Sequence, residues 1–320
     1  MQAYIRRRLI LAVPTLLGVT VIIFYVMRIL PGDPLELVFG AEGEVVRVLT
    51  PEELAAAKAS LGLDKPLILQ YLWWISDLLR GDLGTSFWRG DSVTEMVMRR
   101  GPITAQIAVM AVVMSWIIGL PIGVLSAAKR YYIRVYLSRF FVILFLAVPS
   151  FWLGIIVVTL GILIAHWQPP IGINFFWDDW WKNLQTTFFP AMILALGMSA
   201  VLARFVRSSL LEVLRQDYVR TAHAKGLGGK VVLWRHALTN ALPPVITVSG
   251  LQMSGLLGGS VVVERAFNVP GLGTALISAI NQKDWLIIQN LTLIYGAVFV
   301  MANLLVDLSY AFLDPRIRYD

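Results

Sequence analysis

Six apolar runs, each long enough to cross a lipid bilayer, divide this chain of 320 residues. They lie at 9–27, 103–126, 138–165, 188–206, 244–263 and 286–310. A helix of about 20 residues spans about 30 Å of hydrocarbon. Backbone in lipid must satisfy its own hydrogen bonds, so runs of this kind fold as helices. Composition agrees: 58% of residues are hydrophobic and 15% charged, with mean hydropathy +0.72, whereas soluble domains carry about 25% charged residues. The expected fold class is an all-α integral membrane protein with six transmembrane helices. Arg6-Arg7-Arg8 before the first run invites a signal-peptide reading. The run is longer than the apolar core of such a peptide and lacks a small-residue cleavage site, so it reads as the first span.

The loops orient the spans. An even number of crossings puts both chain ends on one side, and cytoplasmic loops carry an excess of Lys and Arg. With the ends in the cytoplasm, that side holds Arg6, Arg7, Arg8, the basic residues of 129–139 and 204–235, and Arg316 and Arg318. That makes sixteen basic residues against four acids, while the other side holds eleven against fifteen and Asp307 stays in the last run. The net charge of +7 therefore follows from topology, and no nucleic-acid partner is expected. Zero cysteines exclude disulfides and thiolate chemistry.

Between the fourth and fifth runs lies a basic stretch that cannot span, D-Y-V-R-T-A-H-A-K-G-L-G-G-K-V-V-L-W-R-H-A-L-T-N-A-L-P-P from Asp217 to Pro244. Leu210, Leu214, Tyr218 and Ala222 recur every fourth residue and predict one helical face. Gly226 is expected to end that helix by taking a positive φ without steric cost. Trp234, Leu238 and Leu242 predict a second short helix after Gly228-Gly229. The two make an L-shaped elbow with Arg215, Arg220, Lys225, Lys230 and Arg235 turned to water, headgroups or a partner. His223 and His236 are expected on its polar faces.

R-T-A-H-A-K-G-L followed by R-H-A-L-T-N-A-L-P-P resembles the cytoplasmic coupling loop, the E-A-A…G…L-P motif, of ATP-binding-cassette (ABC) import permeases. More narrowly it is similar to the dipeptide, oligopeptide and nickel branch. Thr221 stands where the general motif has an acid, His223 replaces its second alanine, and Leu242-Pro243 falls about one helical turn later than in the sugar permeases. These departures are also those of the peptide branch. L-P-G-D-P at 30–34, L-G-L-D-K-P at 61–66, G-D-L-G-T-S at 81–86, V-V-V-E-R-A-F-N-V-P-G-L-G at 261–273 and D-P-R-I-R-Y at 314–319 resemble the same branch, so the likeness covers nearly the whole chain.

The resemblance implies a type I ABC importer fold with a small extracytoplasmic helical segment after the first helix. It divides the chain into an N-terminal helix (1–30), that segment (31–100), a permease core (101–312) carrying the elbow (208–243), and a cytoplasmic tail (313–320). It implies a bacterial cytoplasmic (inner) membrane location and transport of small peptides delivered by an extracytoplasmic solute-binding protein. Nickel or glutathione are the alternatives within the family. A second homologous permease completes the pathway beside this one in the lipid membrane. Two ATPase subunits or domains carry the ATP and Mg, so this chain is expected to bind no cofactor and to be no enzyme. Asp217, Arg220, Thr221, Ala222, His223, Lys225, Gly226 and Leu227 are then the elbow residues that dock into the ATPase. Glu264, Arg265, Phe267, Asn268, Pro270 and Gly271 form a loop that dips toward the pathway near an outer gate. Without the resemblance, the same loop reads as a Pro-Gly turn with a Glu264–Arg265 pair at the water boundary.

The remaining signals have packing or turn readings. Thr50-Pro51-Glu52-Glu53 is a capped helix start that should run to about Gly62, and a second helical pattern surrounds Tyr71–Trp74. Asp33, Asp82 and Ser86 read as caps and turns, since no histidine accompanies them. Gly119-x-x-x-Gly123 and Gly255-x-x-x-Gly259 place small residues on one helix face, where backbones can approach closely. Pro121 and Pro149 imply kinks. The aromatic stretch 175–181 reads as an interfacial belt or a helix along the headgroups. Gly226-x-Gly228-Gly229-Lys230 is no Walker A loop, because Val231 follows the lysine, Ala224 holds the first glycine position and no strand precedes. His166, His223 and His236 lack metal-ligand spacing. A secondary transporter would need ionisable groups near mid-membrane, and the runs hold few, Arg204 and Asp307 lying near cytoplasmic ends. An intramembrane enzyme would need a clustered acid, base or metal set.

Overall fold

The structure of the chain, a computed structural model, describes residues 2–29, 63–86, 90–128 and 133–313. The turn at 30–34, the capped helix at 50–62 and the tail from 314 lie outside the described residues. Among the described residues the elements are helices α1 (Gln2–Ile29), α2 (Leu67–Leu79), α3 (Val93–Ala128), α4 (Ile133–Ala147), α5 (Ser150–Ala165), α6 (Trp180–Val213), α7 (Asp217–Ala224), α8 (Gly229–Val231), α9 (Thr239–Ala266), α10 (Leu272–Gln282) and α11 (Trp285–Leu313). A π-helical segment, Val232–Leu238, joins α8 to α9. Four helices are long and apolar enough to cross a membrane, and two bent pairs bring the number to six.

The run at 138–165 is not one straight span. α4 and α5 meet at 100°, because Pro149 takes an extended conformation (φ −60°, ψ 136°) and stands as the cap of α5. Proline also disfavours helical backbone in the residue before it, so the kink expected there is a full break. α3 is longer than its apolar run, starting at Val93 and extending over 36 residues. Its first turns thus belong to the segment assigned to the extracytoplasmic side. α6 likewise starts at Trp180 rather than 188. Asp179 caps it, accepting the Lys182 N–H at 3.0 Å, and that hydrogen bond holds its carboxyl below the usual range. The aromatic stretch before it forms turns, with Phe175 and Trp177 stacked at 4.9 Å, and is not a helix of its own.

The core is centred on the contact of α3 with α6. A Cβ on Gly119 would lie 2.7 Å from Leu202 and 2.8 Å from the Ser199 carbonyl, and one on Gly123 would lie 2.6 Å from Val206. This glycine pair therefore lets the two backbones touch. The pair on α9 does not: Gly255 has open space around it and Gly259 meets only Leu194 at 3.7 Å. Instead α9 bends by 57° between Met253 and Gly258, and Gly250 is the residue pressed against Val306 of α11.

On the other end of the bundle the G-D-L-G-T-S loop is tied to α11. Asp82 accepts the Gly84 N–H at 2.8 Å, the expected turn role. Ser86 does more than shape its own turn, donating at 2.6 Å to Asp284. Asp284 is fully buried and accepts the Ile287 N–H at 3.3 Å, capping α11. Asn290 reaches back to the Leu83 carbonyl at 2.7 Å and accepts from the Trp74 indole at 3.1 Å.

Candidate functional site

The elbow is built on a short buried foot. α6 ends at Val213, and Leu214–Gln216 form the turn into α7. Leu210, Leu214, Tyr218 and Ala222 therefore do not share one helix face as expected. Leu210 closes α6 in the core, while Tyr218 is exposed, its hydroxyl accepting from Asn240 of α9 at 3.1 Å. The apolar foot of α7 is Val219 and Ala222, three apart, packed with Val232 against Val213 and Leu214. Val219 was missed because its neighbours fit a fourth-residue repeat better.

α7 closes at Gly226 as expected. Gly226 has φ +78°, its N–H bonds the His223 carbonyl at 2.9 Å, and the Leu227 N–H bonds the Ala222 carbonyl at 3.3 Å. Those two bonds are a Schellman motif, which satisfies the last carbonyls of the helix and fixes the exit direction of the chain. Beyond Gly228 the structure departs from the expected second helix. Trp234, Leu238 and Leu242 belong to no separate short helix, since the chain runs from Gly229 through the π-helical segment directly into α9. The elbow is one short helix hinged onto the N-terminal end of a long one.

Its outer surface is mixed. Leu227, Val231 and Trp234 are exposed apolar side chains, Trp234 to 54%. Around them Arg215, Arg220, His223, Lys225, Lys230 and Arg235 are exposed, and His236 is half-buried. Arg220 pairs with Asp217 at 3.4 Å, both side chains exposed, so the pair orients the guanidinium more than it stabilises α7. Thr221 bonds back to the Asp217 carbonyl at 2.9 Å. Exposed apolar groups inside a polar rim are the composition of a protein-binding patch.

The loop after α9 is packed, and its acid is the centre of the packing. Glu264 is fully buried. One carboxylate oxygen accepts from the Thr104 hydroxyl of α3 at 2.8 Å, and the other from the N–H groups of Gly273 at 2.8 Å and Thr274 at 3.3 Å. A carboxylate at the start of α10 satisfies orphan amides and meets the positive end of the helix dipole. The Thr104 oxygen in turn accepts the Leu272 N–H at 2.9 Å. A Glu264–Arg265 pair at a water boundary is therefore not what forms, because Glu264 turns inward while Arg265 stays exposed at the end of α9. Asn268 takes φ +51° and closes α9 with a second Schellman motif, through Asn268 N–H to Arg265 and Val269 N–H to Glu264. Phe267 and Val269 are buried, Pro270 is half-buried, and a Cβ on Gly271 would collide with the Glu264 carboxylate. Thr104 had no local signal, being one hydroxyl inside an apolar run. Among the described residues no three His, Cys, Asp or Glu side chains gather as a metal site.

Residues 119–319 match the family described as binding-protein-dependent transport system inner membrane component, and residues 1–108 match its N-terminal part. The chain is 36% identical to the dipeptide transport system permease protein DppB of Alkalihalophilus pseudofirmus, over the whole of both chains. It is 37% identical to the oligopeptide transport system permease protein AppB of Bacillus subtilis and 36% identical to the glutathione transport system permease protein GsiC of Salmonella typhimurium, again over the whole of both chains. In fold it is similar to a chain of the inward-facing MetNI methionine ABC transporter, with TM-score 0.53 and 18% identity, over 68% of this chain and 96% of that one. An amino acid ABC transporter gives TM-score 0.53 at 13% identity, over 68% of this chain and 93% of that one.

Proposed function

The chain belongs to the family of inner membrane components of binding-protein-dependent transport systems, and on that premise we propose that it forms half of the pathway of an ATP-driven importer for small peptides. It is a multi-pass inner membrane protein of the type I importer fold. Both termini face the cytoplasm in this reading, and the basic loops support that orientation. The relatives named for dipeptide, oligopeptide and glutathione transport share peptide chemistry, which supports peptides over a bare nickel ion.

The observation that carries the reading is the elbow's exposed patch on a rigid, capped support. ATP and Mg sit on two partner ATPase subunits or domains, whose closure displaces α7 as a lever. The Gly226 cap fixes the angle at which that push reaches α9. Arg220 and Lys225 orient the patch against the partner. A second homologous permease faces this one across the pathway, and an extracytoplasmic binding protein delivers the peptide to the end formed by the loops around Glu264 and Ser86. The division into residues 1–30, 31–100, 101–312 and 313–320 belongs to the same proposal, with the first turns of α3 now on the outer side.

The test is purification of the tagged chain from native membranes, identification of what co-elutes, and peptide uptake by the complex in vesicles. An ATPase, a second permease and ATP-dependent uptake of a dipeptide are the expected result. Elution of the chain alone, with uptake that persists without ATP, would instead establish a secondary transporter.

A further inference from the structure

Arg28 lies in the last turn of α1, where the Arg6–Ile29 span reaches the membrane surface. Its guanidinium is held on several sides. Nε donates to Gln70 of α2 at 3.1 Å, and Nη1 donates to the Phe24 carbonyl and to Gln289 of α11, each at 3.2 Å. The Phe24 ring lies under it, 3.4 Å from the carbon. Gln70 cannot turn its amide over, because its nitrogen already donates to the Leu63 and Lys65 carbonyls at 3.2 and 2.8 Å. Every one of these partners is neutral. Arginine carries five N–H donors, and the three bonds leave both donors of Nη2 without an acceptor among the described residues. No carboxylate pairs with it there either, whereas Arg80, Lys182 and Arg220 each have one. A half-buried cation with free donors on Nη2 thus has no anion among the described residues.

The surroundings say what kind. α2 is 13 residues long, too short to span, and is apolar on two sides. One side packs on Phe24 of α1, Trp74 stacked on the ring and Tyr71 edge-on to it. The other, Ile68, Leu72 and Leu79, is exposed, and so is the α1 stripe Val21, Tyr25 and Ile29 that ends beside Arg28. An apolar helix at the end of a span, bearing an exposed tryptophan (Trp73), lies at headgroup depth.

We propose that the corner of α1, α2 and α11 binds one phospholipid, its phosphate taken by Nη2 of Arg28 and its acyl chains lying on the exposed stripes of α1 and α2. A charge-assisted N–H···O bond from Nη2 to a phosphate oxygen is stronger than a neutral one, and the guanidinium keeps its charge throughout. The lipid thereby closes the seam that ties the first helix to the rest of the permease.

The purified full chain, with its co-purifying partners, is stripped of lipid and titrated with phosphatidylglycerol while native mass spectrometry counts the adducts. Diacylglycerol and inorganic phosphate serve as separate probes. Wild type is expected to retain one phosphatidylglycerol, R28Q to retain it about tenfold less, and R28K to recover part of the loss. Should R28Q fail to fold, L72E, which alters only the exposed stripe, is expected to weaken retention with the complex intact. Equal retention by wild type and a folded R28Q overturns the proposal, as does a wild type that holds no adduct because a carboxylate of its own chain serves Arg28. Diacylglycerol binding as tightly overturns the phosphate's role. Displacement by inorganic phosphate alone shows a free-anion site and overturns the lipid assignment.

Discussion

Two single residues hold the ends of the chain's working loops. At Gly226 the left-handed backbone and its N–H are both used. Proline there would need φ of about −65° and would supply no donor, so Gly226→Pro should break the cap. ATP hydrolysis in reconstituted vesicles is then expected to proceed without peptide uptake, with membrane insertion unchanged. Coupled uptake at the wild-type ratio would show that the cap does not transmit the push. Gly226→Ala has open space for its methyl group and meets only the left-handed backbone cost of about 1–2 kcal/mol, so partial coupling should remain. At the other loop, Thr104→Val strands the Leu272 N–H and removes one donor from a fully buried carboxylate. A loss of about 1–3 kcal/mol is expected, read as a lowered melting temperature of the purified protein; an unchanged melting point would mean that water replaces the hydroxyl. Gly226 was legible because a glycine after a helical pattern is a local signal. Glu264 was legible as a residue and misread as a partner, since Thr104 lies 160 positions away and no spacing rule connects them.

Helices carry the next level of consequence. The α3–α6 contact depends on Gly123, where even a methyl group meets Val206 and the Ala203 carbonyl. Gly123→Leu should therefore destabilise by about 1–3 kcal/mol or more through overpacking, while Gly255→Ala, in open space, should leave thermal stability unchanged. A reversed order in melting experiments would place the close contact on α9 instead. Hydropathy located the spans but not their true lengths. The first turns of α3 carry Glu95, Arg99 and Arg100, so an apolar run begins only after them, although the backbone hydrogen bonds of a helix need no apolar side chain. The break at Pro149 was legible as a kink and not as a 100° turn, because proline frees the preceding residue from the helix without fixing the angle between the two helices. The α9 glycines show the reverse error: a small-residue spacing states what could approach, and the partner that fills the space is a matter of tertiary arrangement.

For the whole molecule, the order of six spans, the loop charges and the basic elbow were readable, because bilayer thickness and charge placement act directly on sequence. The tie between the two ends of the chain was not. Ser86 with Asp284 and Trp74 with Asn290 join the segment after the first helix to the last span over about two hundred residues. These bonds make that end of the bundle one packed unit, while the end that carries α7 presents a single short capped helix. In the proposed mechanism a push on α7 passes to α9, whose far end is bonded through Glu264 to Thr104 of α3 and Gly273 of α10. The most direct test is a photo-crosslinking amino acid at Leu227, exposed on the patch and outside the buried foot, in the complex assembled in native membranes. A covalent adduct with an ATPase subunit, formed at Leu227 and not at the exposed Ile171 of the opposite end, is the expected result. Crosslinks only to lipid or to a second copy of the chain would contradict the coupling role of the elbow.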